Sequence, residues 1–462
     1  MNSHKIQLEG DNQAGDLAPK VARFGLVLAV LGLGVGTAMG LMGGSEDGNS
    51  HFWFAYLVAF SFLLTITLGS MFFTIIQHLV NAHWSVTVRR FAELTMANVP
   101  LVAILALPLL IPIFSESADV WKWANINDGH GGHGGHAEAS TDGHGSDDGH
   151  GGGDDHAAAD GHGDSHAGEH GLAEDLMHAE HLEFVEHKEP YLNRKFMVGR
   201  LVAYFLIWML IARYFFRKSV EQDTSEGIDP TLGMKKRAAI CVILFAFTLS
   251  FAAFDLMMSL DETWFSTIFG VYIFAGAYLS SVAWMVIIGK FLQKNGRMTR
   301  VINPEHYHDL GKWMFAFTFF WGYIGFSQFM LIWYANIPEE THFYEARLTP
   351  AWSAWTWGLL FFHLIVPFAG LLSRHVKRNT NVLLFWAIYM LIMQVYDLAW
   401  VIMPNYHRGD VTMGNPFGFM EVALVLGMFG VLVFGVARRS AKQALLPVGD
   451  PLLGKSLGFR NI

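Results

Sequence analysis

The residues of this chain that could do chemistry are ionisable and amide side chains inside long apolar segments. Such groups are costly in hydrocarbon and usually face a bundle interior, a pore or a partner. Four of these residues fall in the same half of their segments, namely Asp255, Gln328, Gln394 and Asp397. His363 lies near the middle of its segment. Two acids, two amides and a histidine could pass protons, although polar side chains also hold helices together in lipid. The two aspartates and the histidine favour proton transfer.

A second set of polar residues lies toward the opposite ends of the segments. Glu93 follows Arg89 by four residues, a spacing that places both on one helical face. Two interpretations stay equally open, an Arg–Glu surface pair and a buried proton carrier. His78 flanks the end of the preceding segment and is a weaker candidate.

These side chains must be positioned by helices that cross a membrane. An apolar stretch of about 20 residues spans the hydrocarbon core, and only hydrogen-bonded helices or closed barrels do so without unsatisfied backbone groups. The sequence therefore predicts an all-α integral membrane protein with ten transmembrane helices. The predicted spans are 22–42, 52–77, 87–114, 197–216, 237–258, 265–289, 313–335, 352–373, 381–403 and 417–437. A glycine run in the first span (Gly32, Gly34, Gly36 and Gly40) indicates close helix packing.

The distribution of Lys and Arg predicts the orientation. Basic residues collect in alternate connections, and the opposite connections are acidic. Because cytoplasmic loops are enriched in Lys and Arg, we expect residues 1–21 and 438–462 to be cytoplasmic segments. The spans then fall into two blocks, 22–114 and 197–437, separated by an extracytoplasmic loop at 115–196. The N-terminal residues show no signal peptide.

The loop at 115–196 is dominated by Gly, His and Asp, with twelve histidines between His130 and His187. Such a composition buries too little apolar surface to fold, so we expect disorder. One interpretation is a metal collector, because neutral imidazole is a good ligand. The favoured one is a solvated linker, since no tetrahedral ligand spacing recurs. The weak metal-ligand candidates are His130, His133, His136, His144 and His150.

Composition excludes several other classes of function. The chain of 462 residues is 52% hydrophobic and only 15% charged, and its net charge of −9 comes largely from one loop. Nucleic-acid binding would need a basic face. The single cysteine, Cys241, cannot hold an iron–sulfur cluster or covalent haem. A redox role would therefore depend on a quinone or on another subunit.

Several segments resemble a known family. They are HWSVTVRRFAE (83–93), YLNRKFMVGRLVAYFLIWMLIARYFFRKS (191–219), FDLMMSLDETWFSTIFGVYIFAGAYLSS (254–281), DLGKWMFAFTFFWGYIGFSQFMLIWYANIPEETHFYEAR (309–347), HLIVPFAGLLSRHVKRN (363–379) and YDLAWVIMP (396–404). They are similar to the membrane subunits of alternative complex III, within the NrfD/polysulfide-reductase membrane-anchor family. The resemblance covers nearly all spans. The long loop between spans 3 and 4 resembles the second of the two NrfD-like proteins in that complex rather than the first.

The resemblance implies a fold and an assembly. Spans 2–5 and 6–9 would form two four-helix bundles with spans 1 and 10 at the periphery. The chain would be one component of a quinol:electron acceptor oxidoreductase in a bacterial inner membrane rather than a stand-alone enzyme. Its implied partners are a sister NrfD-like subunit, an iron–sulfur protein, haem c proteins, a terminal oxidase and lipid, with no nucleic acid. It would carry no covalently bound cofactor and share menaquinone or another quinol with the complex.

The resemblance also implies roles for residues, because quinol oxidation releases protons. Asp255, Gln328, Gln394 and Asp397 would form an outer half-path, with His363 near the midplane and Glu93 on the inner side. Trp264, Tyr272 and Tyr334 are candidate walls for a quinone headgroup, although aromatic residues are common at membrane interfaces in any case. No residue is expected to be catalytic in the strict sense.

Two alternatives stay open. One is a proton- or metal-coupled secondary transporter with the histidine loop as a metal collector, although the sequence shows no convincing internal repeat of the kind transporters use. The other is a protein that itself oxidises quinol and passes electrons to a neighbouring cluster protein.

Overall fold

The chain folds as a bundle of long helices. A computed structural model describes residues 10–42, 49–115, 120–126, 187–406 and 417–461. Across these residues ten helices are long and apolar enough to cross a membrane, which confirms the predicted fold class. They are α1 (Leu17–Met42), α2 (Ser50–Leu79), α3 (Val86–Phe114), α4 (Arg194–Thr224), α5 (Asp229–Leu260), α6 (Phe269–Lys294), α7 (Pro304–Ala335), α8 (Ser353–Leu372), α9 (Thr380–Asn405) and α10 (Phe419–Ser440).

Short helices decorate the connections between the spans. They are Trp123–Ile126, Pro338–Leu348, Arg374–Arg378 and Leu453–Leu457. No strand occurs within the described ranges. The protein is therefore a multi-pass membrane protein whose ordered framework is helical.

Two spanning helices depart from regular α geometry where proline interrupts the hydrogen-bond ladder. In α3 the backbone breaks after Met96, restarts at Val99 and forms a 3-10 turn at Leu107–Leu109. In α8 a π-helical stretch at Leu359–Ile365 separates two α-helical pieces. Proline has no N–H to donate to the residue four positions earlier, so Pro367 leaves the carbonyl of His363 without its usual α-helical donor.

The helices form two four-helix groups that share a central contact. In the first group α2 packs on α3 and α5, and α4 packs on α3 and α5. In the second, α6 packs on α7 and α9, and α8 lies against α7 and α9. Helices α2 and α6 pack on each other and join the groups. They are the most enclosed spans, since 89% and 78% of the residues in their most apolar stretches are buried. The bundle core therefore follows α2 and α6.

Helix α1 lies at the periphery and packs mainly on α10. A Cβ added at Gly32 would lie 2.5 Å from the backbone nitrogen of Gly427, and one at Gly430 would lie 2.5 Å from that of Ala29. Because only glycine permits so close an approach, the prediction from the glycine run is confirmed at Gly32. Gly36 and Gly40 also meet close neighbours, whereas Gly34 faces open space.

The connections rich in Lys and Arg lie together at one end of the bundle, which we call the basic face. Both tails lie on this face. Asp11 accepts from the backbone of Thr299 and Arg300, and the Asn461 amide donates to Asp309. In the middle of the C-terminal tail, the Ser456 hydroxyl donates to the backbone carbonyl of Trp84. The tails thus tie together the connections α2–α3 and α6–α7.

Candidate functional site

Each helix of the second group contributes one side chain to a polar cluster in the core of the bundle. The Tyr272 hydroxyl (α6) donates a short hydrogen bond to one oxygen of Asp397 (α9). The Trp321 indole N–H (α7) donates to the other oxygen at 3.2 Å. The ring of His363 (α8) lies 3.9 Å from that of Trp321. We call these four residues the α6–α9 cluster.

Asp397 is 2% exposed and meets only neutral donors. Within the described part of the chain no Lys, Arg or His lies at ion-pair distance from it. Burial disfavours the charged form of a carboxyl group, and a nearby cation is the usual compensation. Asp397 is buried away from water and has no such cation beside it. This is the environment of a carboxyl group that can hold or release a proton.

His363 is fully buried, and neither ring nitrogen has a hydrogen-bond partner among the described side chains and backbone. Buried polar atoms are nearly always paired, with ordered water where protein offers nothing. The ring lies on the π-helical stretch of α8, and π-turns recur at functional sites. His363 is therefore placed to bind water or a substrate group beside the Asp397–Trp321 pair.

Two glutamines extend the cluster along α7 and α9. Gln394 lies three residues before Asp397. A Cβ added at Gly276 would lie only 2.7 Å from the side-chain oxygen of Gln394, so the amide packs directly against this glycine. Gln328 lies beside Tyr344, from the short helix Pro338–Leu348, and Tyr344 also lies near Tyr272. Burial raises the pKa of the Tyr344 hydroxyl, so it stays protonated and can donate. The structure thus brings Gln328, Gln394, Asp397 and His363 into one neighbourhood.

Asp255 has different surroundings. Its two oxygens accept from the Arg200 guanidinium of α4 at 2.7 and 2.9 Å, and the Tyr204 hydroxyl donates at 2.9 Å. The Asp255 side chain is fully buried. Thr248, on the same helix, accepts from the Trp208 indole, and the Ser259 hydroxyl donates to the backbone carbonyl of Asp255. Asp255 therefore joins α5 to α4 by a bidentate ion pair.

Glu93 belongs to a buried ion-pair network near the basic face. Its carboxylate lies 3.1 Å from Arg89 and 3.2 Å from Arg90, and the Ser219 hydroxyl donates to it at 2.6 Å. Arg89 also pairs with Asp450 of the C-terminal tail at 2.5 Å, and Arg90 pairs with Asp223 at 2.8 Å. The surface-pair interpretation is therefore wrong, because Glu93 and both arginines are at most 3% exposed. A role in carrying protons stays a prediction.

His78 is also buried and lies beside Phe215, with ring centroids 5.6 Å apart. Its Nε2 has no hydrogen-bond partner among the described residues.

The three predicted quinone-wall residues do not share one pocket. Tyr272 belongs to the α6–α9 cluster, where its hydroxyl is taken by Asp397. Trp264 is stacked on Phe343 at 3.9 Å and meets Tyr272 only through the intervening ring of Phe269. Tyr334 is 85% exposed. The three side chains have separate surroundings, and their role as quinone contacts stays a prediction.

The weak metal-ligand candidates, from His130 to His150, lie outside the described residues. In the ranges that the structure does describe, no group of three or more His, Cys, Asp or Glu side chains could hold a metal ion.

Sequence reasoning missed the partners that distinguish these acids. Trp321 carries no polarity signal, because an indole in an apolar segment is ordinarily core. Arg200 could have been detected from the sequence. It is a basic residue near the end of α4 that faces the acidic connections. Asp223 and Asp450 lie outside the predicted spans, where hydropathy gives no sign that a side chain is buried.

No family model matches the chain, and no curated protein matches it. The α6–α9 cluster holds a carboxyl group, a phenol and an imidazole within one hydrogen-bonded or stacked set. Such groups bind, hold and relay protons.

Proposed function

We propose that this chain is a membrane subunit of a bacterial quinol-oxidising respiratory complex of the alternative complex III type, and that the α6–α9 cluster carries protons within it. The observation that carries the proposal is the convergence of Tyr272, Trp321, His363 and Asp397 from four helices, with no Lys or Arg of the described ranges at ion-pair distance from Asp397. Each of the four also falls in a different segment that resembles the family: 254–281, 309–347, 363–379 and 396–404.

The proposed role follows from the chemistry of the reaction. Oxidation of a quinol releases two electrons and two protons. The electrons leave through the iron–sulfur and haem c proteins of partner subunits. The protons need groups that accept and release them inside the membrane. Asp397 supplies the carboxyl group, His363 supplies a second proton-accepting atom, and Tyr272 and Trp321 hold the Asp397 carboxyl group in place.

The ion pairs of Asp255 and Glu93 support a different role for these two acids. Each carboxylate is one half of a buried ion pair, and breaking such a pair leaves an uncompensated charge inside the protein. We assign them to the stability of the first helix group, and we limit the proposed proton path to Asp397, His363, Gln394 and Gln328.

The experiment compares Asp397→Asn with Asp255→Asn in the tagged, purified complex. We expect the Asp397 variant to assemble with its partners, because the amide keeps the shape: its oxygen can accept from the Trp321 indole and its NH2 group can donate to the Tyr272 hydroxyl. The rate of quinol oxidation, and of the proton release that accompanies it, should fall about 100-fold or more, the size of a lost general acid–base contribution. Unchanged proton release in a fully assembled Asp397 variant would remove the cluster from the path.

Membership in the complex is tested by the same purification. Haem c bands on separate co-purifying polypeptides, with quinol-dependent reduction of cytochrome c, are the expected result. A colourless, inactive chain without partners would overturn the assignment and favour the transporter hypothesis. Uptake of protons or metal ions into vesicles, lost on deletion of residues 128–170, would then establish that alternative.

We also propose that the protein lies in the bacterial inner membrane with the basic face in the cytoplasm. The support is the excess of Lys and Arg in the connections on that face. In a Cys241→Ser background, Lys442→Cys on the basic face and Glu339→Cys on the opposite face are both exposed positions. A membrane-impermeant maleimide should label Glu339→Cys in spheroplasts, and Lys442→Cys only after the membrane is opened. The reverse labelling would invert the topology.

A further inference from the structure

An apolar cavity of about 430 Å³ lies at the basic face, away from the α6–α9 cluster. Four helices enclose it: the first turns of α1 and α3 and the last turns of α6 and α10. Its lining includes Leu17, Phe91, Ile288 and Val433. The volume falls within the range of pockets that bind small ligands, about 300–1,000 Å³.

The cavity opens toward the membrane side of the bundle. Phe24 of α1 and Phe291 of α6 both line it, and they are 63% and 43% exposed. Leu17 and Phe24, at the two ends of the α1 wall, are seven residues apart, which is about 10 Å along a helix at 1.5 Å per residue. The cavity therefore runs from the basic face into the depth occupied by the first part of a lipid chain.

The rim of the cavity is basic. Lys20 lines it and is exposed. The same ends of α1 and α10 carry Arg23, Arg438 and the nearby Lys442, all exposed, against one exposed acid, Asp16. An apolar interior of this kind stays dry or takes an apolar ligand, and a basic rim at an interface attracts an anionic headgroup.

We propose that this cavity is a binding site for an anionic phospholipid, with one acyl chain between α1 and α6 and the phosphate at Lys20. The apolar walls select a hydrocarbon chain over a polar metabolite. The rim distinguishes a negatively charged headgroup from a zwitterionic one. Such a lipid would occupy the gap between the peripheral pair α1/α10 and the two central helix groups. The inference does not rest on the proposed function.

The test measures lipid that stays bound to the full-length chain, in whatever assembly it purifies with. The protein is washed in detergent, and the extracted lipids are quantified by mass spectrometry. Thermal unfolding is then followed after addition of phosphatidylglycerol or phosphatidylcholine. We expect phosphatidylglycerol to be retained and to raise the melting temperature more than phosphatidylcholine does.

Two pairs of variants locate the site. Val433→Phe extends a lining side chain into the cavity, and Val422→Phe makes the same change at a lipid-exposed position of the same helix. Lys20→Gln removes the rim charge, and Lys236→Gln removes an exposed charge elsewhere on the basic face. We expect Val433→Phe to abolish retention of phosphatidylglycerol. Lys20→Gln should weaken binding about fivefold, since one basic residue near an anionic surface is worth about 1 kcal/mol.

Each outcome bears on the proposal. Loss of bound phosphatidylglycerol in Val433→Phe and Lys20→Gln, but not in their controls, supports it. Equal stabilisation by both lipids overturns the anionic site. Recovery of a quinone instead of phospholipid from the unmodified protein assigns the cavity to a different ligand and also overturns it. Each variant is first compared with the unmodified protein by circular dichroism, and the exposed change Lys20→Gln decides the result if Val433→Phe does not fold.

Discussion

Asp255 and Asp397 are both buried aspartates in membrane-spanning helices, but their surroundings are opposite. Asp255 accepts two hydrogen bonds from Arg200, at 2.7 and 2.9 Å. Asp397 accepts from Tyr272 and Trp321 and has no cation at ion-pair distance in the described residues. One aspartate is half of an ion pair that joins two helices. The other is a carboxyl group held by neutral donors where four helices meet.

The comparison shows that the partner decides what a buried acid can do. An ion pair in low dielectric costs several kcal/mol of desolvation per charge and regains this only through the partner's charge and hydrogen bonds. Removing one half is therefore costly, and the pair is suited to holding helices together. A carboxyl group among neutral donors can gain or lose a proton without breaking such a pair, so it is suited to proton transfer.

The largest effect should follow removal of the cation from the first site. Arg200→Ala leaves Asp255 buried without its charged partner, and breaking a buried pair costs about 3–5 kcal/mol. Thermal or denaturant unfolding in detergent measures the loss. The double variant Arg200→Ala/Asp255→Ala should recover part of it, because no unpaired charge is left behind. If the single and double variants are equally unstable, the ion pair is not what Arg200 contributes.

A smaller loss is expected at Glu93, whose two arginines keep their other partners, Asp450 and Asp223. Glu93→Gln removes charge-assisted hydrogen bonds worth about 1.5–3 kcal/mol. Unfolding measurements should place this variant between Arg200→Ala and unmodified protein. Asp450→Asn is the matched control, because it should loosen the C-terminal tail and expose it to protease while Glu93 stays paired. An undisturbed fold in Glu93→Gln would mean that Asp223 and Asp450 alone hold the arginines.

The aspartate-to-asparagine exchange sharpens the comparison directly. Asp397→Asn keeps the acceptor atom and should lower the free energy of unfolding by less than about 1 kcal/mol, since one neutral hydrogen bond is worth about that much. Asp255→Asn leaves Arg200 without a counter-charge and should cost clearly more. The same unfolding assay compares the two. Equal losses would remove the distinction between the two sites.

The smallest effect should come from the indole donor to Asp397. Trp321→Phe removes this donor together with part of the ring, so its loss is counted beyond that of Trp313→Phe, which loses the same ring volume. Hydrogen bonds between membrane helices average about 0.6 kcal/mol in mutant cycles, so the loss should be near that value. Trp313→Phe on the same helix is the control. A loss of several kcal/mol would show that Trp321 acts through packing against His363 rather than through its N–H.

Hydropathy was enough to predict the ten spans, because each run of apolar residues must be a helix in lipid. The helix ends were harder to predict. Helix α4 continues to Thr224, eight residues past its predicted end at 216, and Lys218 pairs with Glu221 on the extra turns. Helix α1 likewise begins at Leu17 rather than at 22. Hydropathy detects the part of a helix in hydrocarbon, whereas the backbone ladder continues into the interface.

The sequence predicts which polar residues lie in the spans, but not which of them contact one another. Asp255 and Asp397 look alike in sequence because both are single acids in apolar runs. What separates them is the neighbouring helix at the same depth, and helix adjacency is set by packing over the whole bundle. The tail residues Asp450 and Ser456 illustrate the same limit, since their partners Arg89 and Trp84 are more than 350 positions away.

The glycine contact between α1 and α10 has a consequence for how the protein is made. Helix α1 leaves the ribosome before α10, its main packing partner, and eight spans are synthesised between them. About 380 residues separate Met42 from Phe419, which at about 5–20 residues per second takes roughly 20–80 s. During that interval the small-residue face of α1 lies in lipid without its partner. The first span of the nascent chain is thus available to any other helix with a matching surface until the tenth arrives.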